Sequence, residues 1–295
     1  MSGRDWWARL GIWRLSVILI VLAGATAVVT VPRLRTFYFR SGDRPGAALA
    51  RVPPPPAAST AQSESATKKA GPRPIVPDAD GRLRVRVADR TPPRLPVEGV
   101  PSGWTAKEFV GHASVELVRE DARLALRLRS DQSSFALYRD VVVDLAEFPF
   151  LSWSWKVIHL PAAGDVRERA TDDQAAQVYV IFPRWPAPLK NSDVIGYVWD
   201  SRAPVGTHLT STKAPNVKII VVASGPGQGD AWRVEQRDVA RDYATLFGRQ
   251  PPRVGQVAVM IDTNDTRGMA EALIGDLIFA RTRAESMESP TSMLR

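Results

Sequence analysis

The chain has 295 residues, 44% of them hydrophobic, with 9 Trp, which is enough to build a sizeable core; a single all-β domain of about 200–250 residues fits within it. The formal charge of +8 is confined to one end: residues 1–76 hold 11 Lys+Arg against 3 Asp+Glu, and the remainder holds 28 of each. A folded part without net charge argues against nucleic-acid binding. The lack of any Cys excludes disulfides, thiolate nucleophiles, iron–sulfur ligation and cysteine–zinc sites.

A short basic segment, residues 1–11, precedes the run "IWRLSVILIVLAGATAVVTV", Ile12 to Val31, whose uncharged part begins after Arg14. That length meets the lower limit of a bilayer-spanning helix, so a transmembrane segment over 12–31 is expected. Small residues at Ala23, Ala25 and Ala27 also resemble a signal-peptidase site, but the continuing apolar "VVTV" favours an uncleaved signal anchor. Arg33, Arg35 and Arg40 make the far flank basic too, so orientation is not settled by the positive-inside rule. Residues 41–77 are rich in Pro, Ala and Ser, including "VPPPPAAST". Such a tract cannot bury enough apolar surface to offset its ordering entropy, and a disordered spacer is expected.

From residue 78 to 283 the pattern has period two. "ASVELVRE", "RLALRLRS", "SFALYRDVVVDL", "LSWSWKV", "AAQVYVIF", "IGYVWDS", "VKIIVVAS", "WRVEQRDV", "GQVAVMID" and "EALIGDLIFAR" alternate, favour β-branched and aromatic residues, and are bounded by Gly, Pro, Asp or Asn. They predict an all-β, jelly-roll-like β-sandwich. One stretch departs from it: "DVARDYATLFG" predicts a short helix with Asp238 as N-cap and Gly248 as its stop. "SGPGQGD", Ser224 to Asp230, reads as a hairpin loop, since no helix follows it to cradle a phosphate. Residues 284–295 read as a disordered tail.

The ordered set "FPFLSWSWKV", "DDQAAQVYVIF", "IGYVWDS", "WRVEQRDVARDYATLFG" and "VAVMIDTNDT…AEALIGDLIF" resembles the DUF3047 family of bacterial proteins over roughly residues 97–282. The resemblance implies a cell-envelope β-domain. It brings no established activity and no catalytic residues to carry over.

Enzyme signatures are missing from the sequence. His112, His159 and His208 are scattered, and neither a G-x-S-x-G elbow nor a G-x-x-x-x-G-K-[ST] loop occurs. What remains are carboxylates at strand ends. Asp172 and Asp173 precede one strand, Asp193 and Asp200 flank another, and Asp262, Asn264 and Asp265 share the turn "DTND". The D-x-N-D spacing offers oxygen ligands to a hard cation, so Ca²⁺ is the one cofactor considered, although the Gly and distal Glu of an EF-hand loop are missing. All of these Asx residues can equally serve as turn formers.

Trp153 and Trp155 share one strand face with Leu151 and Val157, and Tyr197 and Trp199 share one with Ile195. Both stripes read as core, or as sugar-stacking platforms if the face opens on a groove. Trp185, in a Pro-rich loop, is the aromatic expected to be exposed.

The expected function is a membrane-tethered, envelope-facing binding module for a glycan or related ligand. Asp172, Asp173, Trp185, Trp199 and Asp200 are its candidate contacts, and Asp262, Asn264 and Asp265 its candidate metal ligands. The alternatives are a glycan hydrolase using Asp172 or Asp173 with Asp262 or Glu235, and a protein–protein scaffold. For the membrane-attached readings the expected location is the bacterial inner membrane, with the domain in the periplasm.

Overall fold

The computed structural model describes residues 75–184, 192–226 and 231–283. The expected membrane segment at 12–31, nearly all of the linker at 41–77, Trp185 and the tail at 284–295 lie outside these residues. Among the described residues no helix is long and apolar enough to cross a membrane.

Among the described residues there are two seven-stranded sheets, one α-helix and a single 3-10 turn. In chain order the strands are β1 (Leu83–Val85), β2 (Val97–Glu98), β3 (Thr105–Val110), β4 (Ser114–Glu120), β5 (Arg123–Asp131), β6 (Ser134–Val143), β7 (Phe150–His159), β8 (Ala176–Phe182), β9 (Asp193–Asp200), β10 (His208–Thr210), β11 (Val217–Ser224), β12 (Arg233–Asp238), β13 (Val254–Asp262) and β14 (Met269–Ala280). Each of the ten period-two segments forms a strand. The first sheet runs β12-β7-β14-β5-β4-β2, with β1 also paired to β14, and the second runs β10-β11-β9-β8-β13-β6-β3. The all-β sandwich expected from the sequence is therefore present. Its pairs are antiparallel except β9 with β11, which run parallel.

Alternation decides which side chains fill the space between the sheets. Leu151, Trp153, Trp155 and Val157 of β7 meet Ile195, Tyr197 and Trp199 of β9 in one core that also takes residues from β5, β6, β8, β13 and β14. Trp153 packs edge-on to Trp155 at 5.3 Å between centroids, and Trp155 lies 5.7 Å from Trp199. The aromatic stripes are thus core. Lys156, on the opposite face of β7, is buried with its amine 3.1 Å from Glu120.

The second sheet is buried on its outer face as well. Val194 and Val198 of β9, Ile219 and Val221 of β11, and Ala258 and Met260 of β13 form a second cluster with Val166, Ala203 and Ala214 from the connecting loops. Burial on both faces explains why β9 reads as nearly continuous apolar sequence and not as a clean alternation.

The helix, α1 (Val239–Phe247), begins where the Asp238 carboxylate accepts a hydrogen bond from the Arg241 amide, and it ends at Gly248 in the left-handed conformation, φ 68°. Both caps are the residues that the sequence marks. Tyr243 anchors it by donating its hydroxyl to Asp193, which Arg249 also pairs at 2.6 Å.

The segment after Ser224 differs from expectation. It is not a hairpin, because β11 lies in the second sheet and β12 in the first. Gly225, at φ 70°, takes part in a connection that passes between sheets.

Candidate functional site

Four aspartates and one lysine, from three separate stretches of sequence, meet where β8 begins and β13 ends. Asp172 and Asp173 follow a single 3-10 turn, Arg169–Thr171, just before β8. Asp262 closes β13, and Asp265 lies in the turn after it. Lys213 comes from the turn between β10 and β11. Its amine lies 2.7 Å from Asp265 Oδ2, 3.7 Å from Asp262 Oδ2 and 3.8 Å from Asp172 Oδ2, and it donates to the Asp172 carbonyl at 3.2 Å.

The two adjacent aspartates do different work. Asp173, fully buried, accepts hydrogen bonds from the amides of Asp265 and Thr266 at 3.1 and 2.6 Å, and from the Thr266 hydroxyl at 2.6 Å. It fixes the "DTND" turn against β8 and has little capacity left for a ligand. Asp172 instead turns to Lys213, the Gln174 amide at 3.0 Å and the Thr212 hydroxyl at 3.4 Å. Gly164 lets this corner close, because a Cβ there would lie 2.3 Å from the Asp173 carbonyl oxygen.

Burial sets the protonation of the cluster. It pushes the Asp262 carboxyl well above its ordinary range; Lys213 opposes this, while Asp173, Asp265 and Asp172 add to it. Asp172 and Asp265 are raised for the same first reason, again with Lys213 opposing. Burial disfavours the Lys213 ammonium, yet Asp262, Asp172 and Asp265 together more than offset it, and its pKa rises. Lys213 therefore stays charged against Asp265, its nearest partner, and Asp262 is the group that favours the acid form.

A stability consequence follows with a definite sign. Asp262 binds its proton more tightly folded than unfolded, so its contribution is complete below the ordinary carboxyl value of 3.8 and is lost as pH rises through the raised value. Asp262→Asn should therefore flatten the decline of melting temperature between about pH 4 and pH 8 relative to the parent chain. Parallel pH profiles for the two proteins would refute this protonation assignment.

The candidate cation ligands are arranged differently from expectation. Asp262 and Asp265 converge on the Lys213 amine, which supplies the positive charge there, and Asn264 donates its side-chain amide to Asp265 at 3.0 Å. No group of three or more His, Asp or Glu able to hold a metal ion occurs among the described residues. The Ca²⁺ expectation thus finds no ligand set here, because a protein amine stands where the ion would.

Trp199 and Asp200 do not join the cluster. Trp199 is buried between the sheets and donates its indole N–H to the Gly225 carbonyl at 2.9 Å. Asp200 is fully buried and accepts from the amides of Val166, Arg202 and Ala203 at 2.8, 2.7 and 2.6 Å, which ties the loop after β7 to the loop after β9. Glu235 lies on the edge strand β12 of the first sheet, ion-paired to Arg233. It does not face Asp172 or Asp262, and between those two stands Lys213. Asp172, Asp262 and Glu235 therefore do not form a pair facing across an open gap of the kind a glycosidase uses.

What the cluster does adjoin is a track of polar side chains set into the second apolar cluster, buried on the outer face of the second sheet. Register places Tyr138, Ala258, Tyr179 and Gly196 in one transverse row. Asp140, Gln256 and Ile181 form the row on one side, and Ala136, Met260 and Gln177 the row on the other. Asp262, beyond Met260 on the same face of β13, ends the track. From Gln256 to Asp262 it measures about 20 Å at the rise of a strand. Gly196 makes space for Tyr179, since a Cβ there would lie 2.6 Å from its ring.

Tyr179 donates its hydroxyl to Gln177 Oε1, and burial together with the nearby Asp172, Asp262 and Tyr138 holds that hydroxyl protonated. Gln256 donates to Asp140 at 2.8 Å. The other half of each amide, Gln177 Nε2 and Gln256 Oε1, is buried without a hydrogen-bond partner among the described residues.

Comparison with known proteins gives a family and no activity. Among solved structures, the family 11 carbohydrate-binding module of a cellulosomal cellulase of Clostridium thermocellum is 7% identical, with a TM-score of 0.38, covering 71% of this chain and 99% of that one. The family 11 xylanase of Neocallimastix patriciarum is 10% identical, with a TM-score of 0.30, covering 67% and 96%. Likenesses at this level carry no functional assignment. No curated protein matches the chain by sequence. The model of a family described as proteins of unknown function matches residues 102–278, well over half of the chain, and the chain accordingly belongs to the DUF3047 family.

Proposed function

We propose that the domain is a binding module for a hydroxyl-rich ligand, a glycan or related component of the cell envelope, that the second sheet holds. One observation carries this reading: Gln177 and Gln256, both buried, each leave one amide atom unpaired on the same face as Tyr138, Tyr179 and the aspartate cluster. A buried polar group without a partner is costly. The hydroxyls of a sugar would satisfy such an atom, and since the two stand four residues apart along adjacent strands, about 13 Å at the rise of a strand, a ligand meeting both exceeds one sugar ring.

The apolar run at 12–31 and the Pro-rich tract at 41–77 support a tether. We extend the proposal to a single-pass protein of the bacterial inner membrane whose β-domain stands in the periplasm. A fusion at the C-terminus of the full chain to a reporter active only in the periplasm should be active in intact cells; a cytoplasmic signal would refute that placement.

The binding reading is tested by affinity electrophoresis of the full chain through gels containing single polysaccharides. At least one should retard the parent protein, and Gln177→Leu, checked for an unaltered melting temperature, should weaken retardation by about tenfold or more. Migration unaffected by every polysaccharide would overturn the glycan reading.

A further inference from the structure

The outer face of the first sheet carries an open cavity of about 370 Å³, on the other sheet from the Gln177 track. Small-molecule sites occupy about 300–1,000 Å³, so this volume suits a ligand of modest size. Its floor is made by a bulge in β14. The register with β7 slips between Ile274 and Leu277, so that Gly275 and Asp276 together oppose Ser154. On its other side β14 leaves β5 after Ile274 and meets β1 from Leu277. A bulge of this kind interrupts the ladder and re-aims side chains. Gly275 keeps the depression open, since a Cβ there would lie 2.6 Å from Ser154 Oγ. Ser152 and Ser154 alternate with Trp153 and Trp155, which face the core, so both serine hydroxyls stand on the outer face. Neither has a hydrogen-bond partner among the described residues.

The walls carry the charge. Asp276 pairs with Arg84 at 3.3 Å and accepts from the Val87 amide at 2.8 Å, so its carboxylate is spent within the fold. Arg123, also in the wall, meets no carboxylate among the described residues. Its guanidinium lies 5.4 Å from the centre of the Trp232 ring. That ring is fixed in turn by packing on Val118, Ala125 and Leu273 and by donating its indole N–H to Asp121 at 3.1 Å. Arg123 is thus positioned by an aromatic face while its N–H fork, the shape that matches a carboxylate or a phosphate, stays free. Two arginines against one aspartate leave the cavity with a net positive charge. Val234, 65% exposed and opposite Ser154 on the edge strand β12, adds an apolar rim. We propose that this cavity binds a small acidic sugar, its carboxylate or phosphate on Arg123, its hydroxyls on Ser152 and Ser154 and a C–H face against Val234. The site is separate from the glycan reading above and does not rest on it.

Isothermal titration calorimetry of the full chain tests this with glucuronate, glucose 6-phosphate and glucose as probes. At least one acidic sugar should bind about tenfold more tightly than glucose, and the two acidic arms separate a carboxylate from a phosphate. Arg123→Gln should remove that preference, and Ser152→Ala should weaken the acidic sugar about fivefold by deleting one hydroxyl. Gln177→Leu should change neither, because its amide belongs to the other sheet. Acidic sugars bound no better than glucose, or a preference that survives Arg123→Gln, would overturn the site. An acidic sugar indifferent to Ser152→Ala but lost in Gln177→Leu would move the ligand to the second sheet and overturn it too. Retardation by polysaccharides, read through Gln177→Leu, stands or falls independently of all these results.

Discussion

Lys213→Met should lower the unfolding free energy by about 3–5 kcal/mol, the range found when one partner of a buried ion pair is removed. In a domain of this size that is a fall of roughly 6–20 °C in melting temperature. The methionine fills the space of the lysine stem, so lost packing is a minor part of the effect. What remains is Asp265, 2.7 Å from the missing amine, with Asp172 and Asp262 beside it, all deprived of their compensating charge. The penalty should shrink when Asp265→Asn is added, since one buried carboxylate is then gone. Denaturant titration of the single and double variants measures both quantities. A single-variant loss below about 1 kcal/mol, the range of exposed pairs, would mean that water reaches the cluster and screens it.

Trp199→Ala should cost about 3–5 kcal/mol, as large-to-small changes of buried aromatics do, and should leave glycan affinity unchanged at temperatures where the variant is still folded. The ring is enclosed by Trp155 on one side and the Arg233 guanidinium on the other, and its indole N–H is bonded to Gly225. Deleting it opens a void between the sheets without touching the outer face. Denaturant melts and affinity electrophoresis on the same preparation separate the two roles. A variant of parental stability that no longer binds would return Trp199 to the ligand site.

The strands were legible because hydrophobic alternation in water has a period that a strand alone satisfies, and "LSWSWKV" or "RLALRLRS" leaves no other reading. The helix was legible because Asp238 and Gly248 mark its ends by local chemistry. The short strands β1, β2, β3 and β10 escaped notice: two or three residues hold no period, and "TAKEFV" of β3 places a lysine where an apolar residue would signal. Sheet membership was not legible either. A Gly-rich link looks the same whether it closes a hairpin or, as after β11, passes to the other sheet.

The candidate residues are placed unequally. Asp172, Asp262 and Asp265 do converge, but Asp173, beside Asp172 in sequence, is spent on the amides of Asp265 and Thr266. Lys213 was missed because "STKAPN" is an ordinary loop until a parallel return from β9 to β11 carries it beside residues 172 and 262. Gln177 and Tyr179 were hidden in a strand whose other positions are apolar, and only the pairing of β8 with β13 and β9 shows which face they share.

The position of β14 has a consequence for how the chain is made. It is the last of the described strands to leave the ribosome, yet it lies inside the first sheet, paired to β5, β7 and β1. A nascent chain that stops short of residue 269 has the ladders of β5 and β7 facing an empty slot, and Leu126, Leu128, Trp153 and Trp155 without the strand that joins them. The first sheet can close only once nearly all of the described chain has been synthesised. Until then the domain is held open by the order of its own translation, and a truncation at the C-terminal strand should yield an aggregating polypeptide and not a smaller folded one.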